Sequence, residues 1–121
     1  ATRGQSTRVE LRCPDPACNP YLALTVCLAA GLDGIERKLT PPAEITDNIF
    51  AMSAAQRESK GIHSLPGNLH DAVSAMQADS LICDVLGGHI VSQYVAGKEK
   101  EWDEYRTHVS GWEIDKYLIA Y

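Results

Sequence analysis

The segment that decides the fold, residues 7–24, reads TRVELRCPDPACNPYLAL. Its first half alternates like a β-strand, in which successive side chains point to opposite faces. Arg8, Glu10 and Arg12 therefore project together. Two guanidinium groups that flank one carboxylate suit an anionic ligand and a divalent cation. The solvated face of an ordinary strand can carry the same alternating charges, so this pattern alone leaves the function open.

The second half of this segment predicts the start of a helix. Asn19-Pro20 places a capping asparagine before a proline at the first helical position. From Tyr21 to about Lys38 the residues are apolar nearly all round, which is typical of a helix buried against a sheet. Gly31 and Gly34 indicate either close packing or a frayed second half.

Two more helices are predicted after a loop that begins at Thr40-Pro41-Pro42. The run from Ser53 to Gln56 fits a capping box and opens a short helix that stops at Gly61. Asn68 then caps a helix whose apolar residues repeat on one face, namely Leu69, Val73 and Met76.

Two longer elements follow. Asp79 or Ser80 restarts the helix, and Gly87-Gly88 ends it. The next helix runs from about His89 to His108, with its charged residues 98–104 on the solvated face. We expect its core-facing residues to be Ile90, Tyr94, Trp102, Tyr105 and Val109.

The C-terminal residues form an apolar, aromatic segment. Ser110-Gly111-Trp112-Glu113 is a capping box. Behind it, apolar residues recur at i, i+3, i+4 and i+7, namely Ile114, Tyr117, Leu118 and Tyr121. So short a helix is marginal alone and needs a partner surface. It either folds back on its own domain or docks on another subunit.

Length and composition exclude several classes of protein. The chain has 121 residues, which suits one small domain, and its net charge of -5 without a basic cluster argues against binding nucleic acid. No apolar run reaches the roughly 20 residues that cross a bilayer, so we expect no membrane partner and a cytoplasmic location. The chain begins at Ala1 rather than Met, which suggests a piece of a longer protein.

The four cysteines, Cys13, Cys18, Cys27 and Cys83, permit two disulfides or a share in a zinc site. Neither is favoured, because no Cys-x-x-Cys occurs and no histidine is near the first two.

The order of several motifs closely resembles the C-terminal part of type I, bacterial, glutamine synthetase. The motifs are RVELR at 8–12, PDPACNPYLA at 14–23, AAGLDGI at 29–35, DNIF at 47–50, SLPGNL at 64–69, GGHI at 87–90, KEKEWDEYR at 98–106 and WE at 112–113. Co-linear motifs are far more specific than one short pattern. The resemblance implies an α+β fragment, mostly α-helical, with an N-terminal β-strand of the catalytic sheet followed by about five helices. The expected divisions are a strand 6–13, a helical body 19–109 and a C-terminal docking helix 110–121.

The resemblance also implies the chemistry. Such enzymes assimilate nitrogen by joining ammonium to L-glutamate with ATP, through γ-glutamyl phosphate, using Mg²⁺ or Mn²⁺. Glu10 matches a metal ligand, Arg8 the arginine at the ATP phosphates, and Arg12 the catalytic arginine beside glutamate and the transferred phosphoryl group. The other metal ligands and the ammonium-site aspartate belong to preceding segments of the family. We therefore expect the 121 residues alone to be inactive.

Assembly and regulation are implied in the same way. Type I enzymes form two stacked six-membered rings, a homo-dodecamer, and the C-terminal segment reaches into the opposite ring. Many members carry an adenylylated tyrosine where this chain has Phe50. Phenylalanine has no hydroxyl group, so we expect no such modification. Glutamine feedback or a nitrogen-regulatory protein would then control activity.

Two other functions stay open. One is a γ-glutamyl-amine ligase of the same superfamily, which shares the Arg-x-Glu-x-Arg and Asn-Pro-Tyr motifs. The segments 101–106 and 112–113 look more like true glutamine synthetases. The other is a non-catalytic helical module that docks a regulator through its terminal aromatic residues.

Overall fold

The computed structural model describes residues 4, 8–118 and 120, and this part of the chain is mostly helical. It divides into two compact units, Ala1–Thr46 and Asp47–Tyr121. Across the described residues, no helix combines the length and the apolar character needed to cross a membrane.

The predicted strand 6–13 is not confirmed. Residues 6–7 lie outside the described part, and 8–13 have no strand assignment. A strand is defined by hydrogen bonds to a neighbouring strand, and the described residues provide no such neighbour. The β component of the predicted α+β fold is therefore absent from the described residues, whereas the helical component is present.

A tight turn leads from this segment into the first helix. The amide of Ala17 donates to Oδ1 of Asp15 at 2.7 Å, which is the bonding of an Asx turn. The side chain of Asn19 then accepts from the amide of Tyr21 at 3.0 Å, as predicted for a helix cap. Helix α1 spans Pro20–Glu36, with proline at its first position.

Helix α1 was predicted to be buried, and this prediction is wrong for the described residues. None of its residues is buried. Its exposed apolar residues form one row, here called the apolar seam: Tyr21, Leu24, Leu28, Leu32 and Ile35. Apolar character all round a helix indicates that something covers it, but no part of the described chain covers this row.

The C-terminal unit begins with two short helical elements. A 3₁₀ turn, Ile49–Ala51, is capped by the side chain of Asn48. Helix α2, Ala54–Ser59, opens with the predicted capping box, in which Ser53 and Gln56 each bind the other's backbone amide. It ends before Gly61, whose φ of +67° places it in the left-handed region that favours glycine.

Three helices follow without loops between them. Helix α3 spans Leu69–Ala78, α4 spans Ser80–Leu86, and α5 spans Gly88–Arg106. Asp79 is both the last cap of α3 and the first cap of α4, where its carboxylate accepts from the amide of Ile82. In the same way, Gly87, with φ +77°, is both the C-terminal cap of α4 and the N-terminal cap of α5.

The buried centre of this unit lies where α3, α4 and α5 pack on one another. Val73 of α3 and Val95 of α5 are the buried apolar residues of the described chain. Val73 was expected on the inner face of α3. The expected inner face of α5 is wrong at four of its five residues, since Ile90, Tyr94, Tyr105 and Val109 are exposed. The face that packs instead carries Val91, Val95, Lys98 and Trp102, all buried or half-buried.

The C-terminal segment opens with the second predicted capping box. Ser110 and Glu113 cap helix α6, Gly111–Glu113, which continues as a π-helical turn, Ile114–Leu118. The wider π turn changes the spacing expected for an α-helix. Tyr121, the last residue of the predicted apolar stripe, lies outside the described residues.

Candidate functional site

Three charged side chains meet at the start of the N-terminal unit. The Nε of Arg8 donates to Oε1 of Glu10 at 2.7 Å, and an Nη of Arg12 donates to Oε2 at 2.8 Å. Each carboxylate oxygen thus accepts from a different arginine. The three residues that the alternation placed on one face of a strand are therefore in contact here, although no strand is assigned.

The two arginines keep the carboxylate ionised. Hydrogen bonds from Arg12 and then Arg8 hold the pKa of Glu10 below its usual range. The side chains are largely exposed, so these ion pairs contribute little to stability. With two positive charges and one negative, the cluster is cationic overall. Because a guanidinium carries five N–H donors, each arginine can hold Glu10 and contact an anion at the same time.

Glu10 fits one requirement of a divalent metal site. Its carboxylate oxygens are the hard donors that Mg²⁺ and Mn²⁺ prefer. Within the described residues, no group of three or more His, Cys, Asp or Glu side chains is placed to hold a metal ion. Glu10 can therefore supply one ligand, and the remaining ligands have to come from other groups.

The loop before α2 presents Phe50 to solvent. This side chain is fully exposed on the 3₁₀ turn. An ion pair of 2.5 Å between Asp47 and Lys60 ties the start of the loop to the end of α2. A guanidinium nitrogen of Arg57 also donates to the carbonyl of Met52 at 3.3 Å. These two contacts hold the loop, and the fully exposed ring of Phe50 lies between them.

An aromatic cleft that the sequence analysis missed lies between α3 and α5. The ring of Trp102 lies 6.3 Å from that of His70 and 6.0 Å from that of Tyr105. A cleft of about 450 Å³ opens beside Trp102 and Tyr105 and is lined also by Asn68 and Glu101. Trp102 had been assigned to the core and His70 had no assigned role. No local sequence signal marks this cleft, because its lining comes from two helices that are far apart in sequence.

The aromatic C-terminal segment is exposed. The rings of Trp112 and Tyr117 meet edge to face, with centroids 5.8 Å apart. Trp112, Ile114, Tyr117 and Leu118 all remain exposed. The backbone amide of Ser110, and then its hydroxyl group, hold the pKa of Glu113 below its usual range by hydrogen bonding.

The family model described as "Glutamine synthetase, catalytic domain" matches residues 1–117. The chain belongs to this family. The glutamine synthetase of Clostridium saccharobutylicum is 54% identical over all 121 residues, and that of Thermus thermophilus is 50% identical over the same length. The match covers 27% of each relative. The chain therefore spans about a quarter of the length of these glutamine synthetases.

A solved structure also matches the glutamine synthetase segment described here. It is described as "Apo GmaS without ligand", and it is 35% identical to this chain with a TM-score of 0.69. The similarity covers 89% of this chain and 24% of the other. The helical arrangement thus has a counterpart in a much longer solved chain.

Proposed function

We propose that this chain forms the C-terminal part of the catalytic domain of a glutamine synthetase, which joins ammonium to L-glutamate with ATP through γ-glutamyl phosphate. The family match over residues 1–117 and the names of the relatives support the reaction. The observation that carries the chemistry is the contact of Arg8 and Arg12 with the two oxygens of Glu10.

Each member of this cluster has a proposed role. Arg8 binds the phosphates of ATP, and Arg12 binds the side chain of glutamate and the transferred phosphoryl group. Phosphoryl transfer spreads negative charge over oxygens, and positioned cations stabilise that charge. Glu10 is a ligand of Mg²⁺ or Mn²⁺, which when bound offsets charge on the phosphates. Mutual hydrogen bonding keeps the three side chains aligned and Glu10 ionised.

The isolated chain lacks most of such a site. One carboxylate cannot hold two metal ions, and the described residues offer no further cluster of ligands. We therefore propose that the 121 residues do not catalyse the reaction on their own.

A chimera tests this function. The matching segment of the Clostridium saccharobutylicum enzyme, 54% identical, is replaced by this chain. The chimera should form glutamine from glutamate, ammonium and ATP. Glu10→Gln and Arg12→Gln should each lower kcat about 100-fold or more, because they remove charge that acts on the transition state. A chimera that keeps the parent's mass and helix content but forms no glutamine contradicts the proposal and favours a non-catalytic module.

The same chimera distinguishes ammonium from larger amines. Ammonium is the proposed acceptor because both named relatives are glutamine synthetases. Methylamine offered in place of ammonium should react far more slowly. A faster reaction with methylamine would instead indicate a γ-glutamyl-amine ligase.

We also propose that the C-terminal segment contacts another subunit in a double-ring homo-dodecamer. The exposure of Trp112, Ile114, Tyr117 and Leu118 supports this role, because adjacent exposed apolar side chains favour a partner surface. Deleting residues 111–121 from the chimera should leave single rings. Unchanged double rings would contradict the proposal.

Regulation is proposed to proceed without adenylylation of the loop before α2. Phe50 is at the position that the resemblance assigns to the modified tyrosine, and its fully exposed ring, which has no hydroxyl group, supports this proposal. Glutamine feedback or a nitrogen-regulatory protein is proposed in its place.

A further inference from the structure

A second cleft, here called the acidic cleft, also opens beside Trp102, where α3 packs on α5. It has a volume of about 350 Å³ and is lined by His70, Glu99, Trp102, Asp103 and Arg106. The four lining residues of α5 lie within about 100° of one another around the helix, because their spacing follows its 3.6-residue period. His70 comes from the first turn of α3, so the cleft exists only where both helices are in place.

The acidic cleft has one carboxylate that its neighbours do not neutralise. Two carboxylates and one guanidinium line it, which leaves one net negative charge. The Nε of Arg106 donates to Oδ1 of Asp103 at 2.7 Å, and this ion pair balances two of the three charges. The carboxylate of Glu99 has no ion-pair partner within the described part of the chain. The net charge of the cleft therefore belongs to Glu99.

The wall near this carboxylate is aromatic. The half-buried indole of Trp102 and the ring of His70 are nearly parallel, at 21°, with centroids 6.3 Å apart. The face of an aromatic ring attracts a cation through its quadrupole, and tryptophan does so most strongly. A carboxylate without a partner and an indole in one cleft therefore favour a cation that also has apolar surface.

The size and the donor set of the cleft distinguish between kinds of cation. Among the residues that the structure describes, no group of three or more His, Cys, Asp or Glu side chains is placed to hold a metal ion. Ammonium itself would fill only a small part of 350 Å³. An alkylated ammonium ion is larger, and its charge lies under C–H groups that can rest on an aromatic face.

We propose that the acidic cleft binds an alkylated ammonium ion. The carboxylate of Glu99 supplies the opposite charge, and the rings of Trp102 and His70 supply the aromatic surface. Because the lining comes from two helices, a bound ion would link α3 to α5. The inference goes beyond the proposed function, since it requires neither catalysis nor the three charged residues that precede α1.

The test compares choline with its uncharged isostere, 3,3-dimethylbutan-1-ol, in the chimera with the Clostridium saccharobutylicum enzyme. Saturation-transfer difference NMR on the methyl groups of each ligand measures the two dissociation constants. Choline should bind about fivefold or more tightly, because it alone carries the charge that the indole and Glu99 attract. In the 121-residue chain, choline should shift the NMR signal of the indole N–H of Trp102 and leave that of Trp112 in place.

Two substitutions that remove the same charge from α5 locate the site. Glu99→Gln should weaken choline binding by about threefold or more, because it removes the unpaired carboxylate. Glu104→Gln is the matched control and should leave the dissociation constant unchanged. Glu104 is exposed on the same helix, pairs with Lys100 at 3.7 Å and does not line the acidic cleft. Both residues are exposed, so neither change should prevent folding.

Equal dissociation constants for choline and the alcohol would overturn the inference, and so would equal effects of the two substitutions in the chimera. If choline shifted the Trp102 signal of the 121-residue chain but did not bind the chimera, the inference would also fail, because the rest of the glutamine synthetase would then cover the cleft. These readouts do not depend on activity. A chimera that binds choline through Glu99 but forms no glutamine contradicts the proposed function alone.

Discussion

The two units of this chain hold their helices in different ways. In the C-terminal unit, α3, α4 and α5 pack together and bury Val73 and Val95. In the N-terminal unit, α1 is the longest element but buries none of its residues, and the charged cluster lies just before it. The residues assigned to chemistry thus belong to the unit without a core. Within the described residues, hydrogen bonds from Arg8 and Arg12 to Glu10 align these side chains, and no buried core lies beside them.

The largest expected loss of stability comes from placing a charge in the buried centre of the C-terminal unit, and the same charge in the N-terminal unit should have little effect. Val95→Asp places an unpaired carboxylate in the packed centre of the C-terminal unit and should lower the free energy of unfolding by about 3 kcal/mol or more. Val9→Asp is the matched control, because Val9 is 96% exposed and should change stability by less than about 0.5 kcal/mol. Urea unfolding followed by circular dichroism measures both. Equal losses would contradict the assignment of the core.

Removal of a helix cap should act differently in the two units. Asn19 caps α1 and Asn68 caps α3, each by accepting from backbone amides. Either change to Ala should cost about 1 kcal/mol. In Asn19→Ala the loss should appear as local fraying, with amides of α1 exchanging about fivefold faster, because none of the residues of this helix is buried among the described residues. In Asn68→Ala it should appear in global stability instead. If Asn68→Ala caused only local fraying of α3, without a loss of global stability, the proposed difference between the two units would be contradicted.

Salt should distinguish the two perturbed carboxyl groups. The pKa of Glu10 is lowered by Arg12 and Arg8, whereas that of Glu113 is lowered by the amide and hydroxyl of Ser110. Salt screens exposed charges more than it weakens neutral hydrogen bonds. At 1 M NaCl the pKa of Glu10 should rise towards its usual value and that of Glu113 should change less. NMR titration of the two side chains measures this, with Ser110→Ala as the control that raises only the pKa of Glu113.

The sign of the pH effect follows from these directions. Both pKa values are depressed in the folded chain, so both groups favour the folded form above the usual carboxyl pKa of about 4.3. That contribution is lost as the pH falls through the lower folded values. Local order at residues 8–12 and 110–113 should therefore decline only below about pH 4. Loss of order on raising the pH from 5 to 7 would contradict this sign.

The smallest expected effect on stability comes from Phe50→Tyr. The ring is fully exposed, so the added hydroxyl group should change stability by less than about 0.5 kcal/mol. With an adenylyltransferase and ATP, the variant should gain the mass of one adenylyl group in the chimera, and the unchanged chain should gain none. Adenylylation of the unchanged chain in this loop would contradict the proposed loss of the switch.

The helix caps, which depend on residues close together in the sequence, were predicted well. The caps at Asn19, Asn68 and Asp79 and the two capping boxes are all present. Each requires only groups within three residues of one another, so the sequence contains the whole interaction. The contact of Arg8 and Arg12 with Glu10 is local in the same sense.

Non-local features were predicted less well. A strand needs a partner strand, which residues 8–13 lack in the described chain. The inner face of α5 depends on where α3 lies against it, and that contact selects Val95 rather than Tyr94. The apolar character of α1 indicates that it will be covered but does not say by what. The cleft at Asn68 and Trp102 joins residues that are far apart in sequence.

The shared caps at Asp79 and Gly87 have a consequence for how this chain can change in length. Each is the single residue between two helices. One inserted residue there would turn the following helix by about 100° and move its apolar face away from its neighbours. From Leu69 to Arg106, evolution can therefore exchange side chains but cannot easily add or delete positions. Insertions and deletions among related sequences should collect in the irregular segment 39–46 instead.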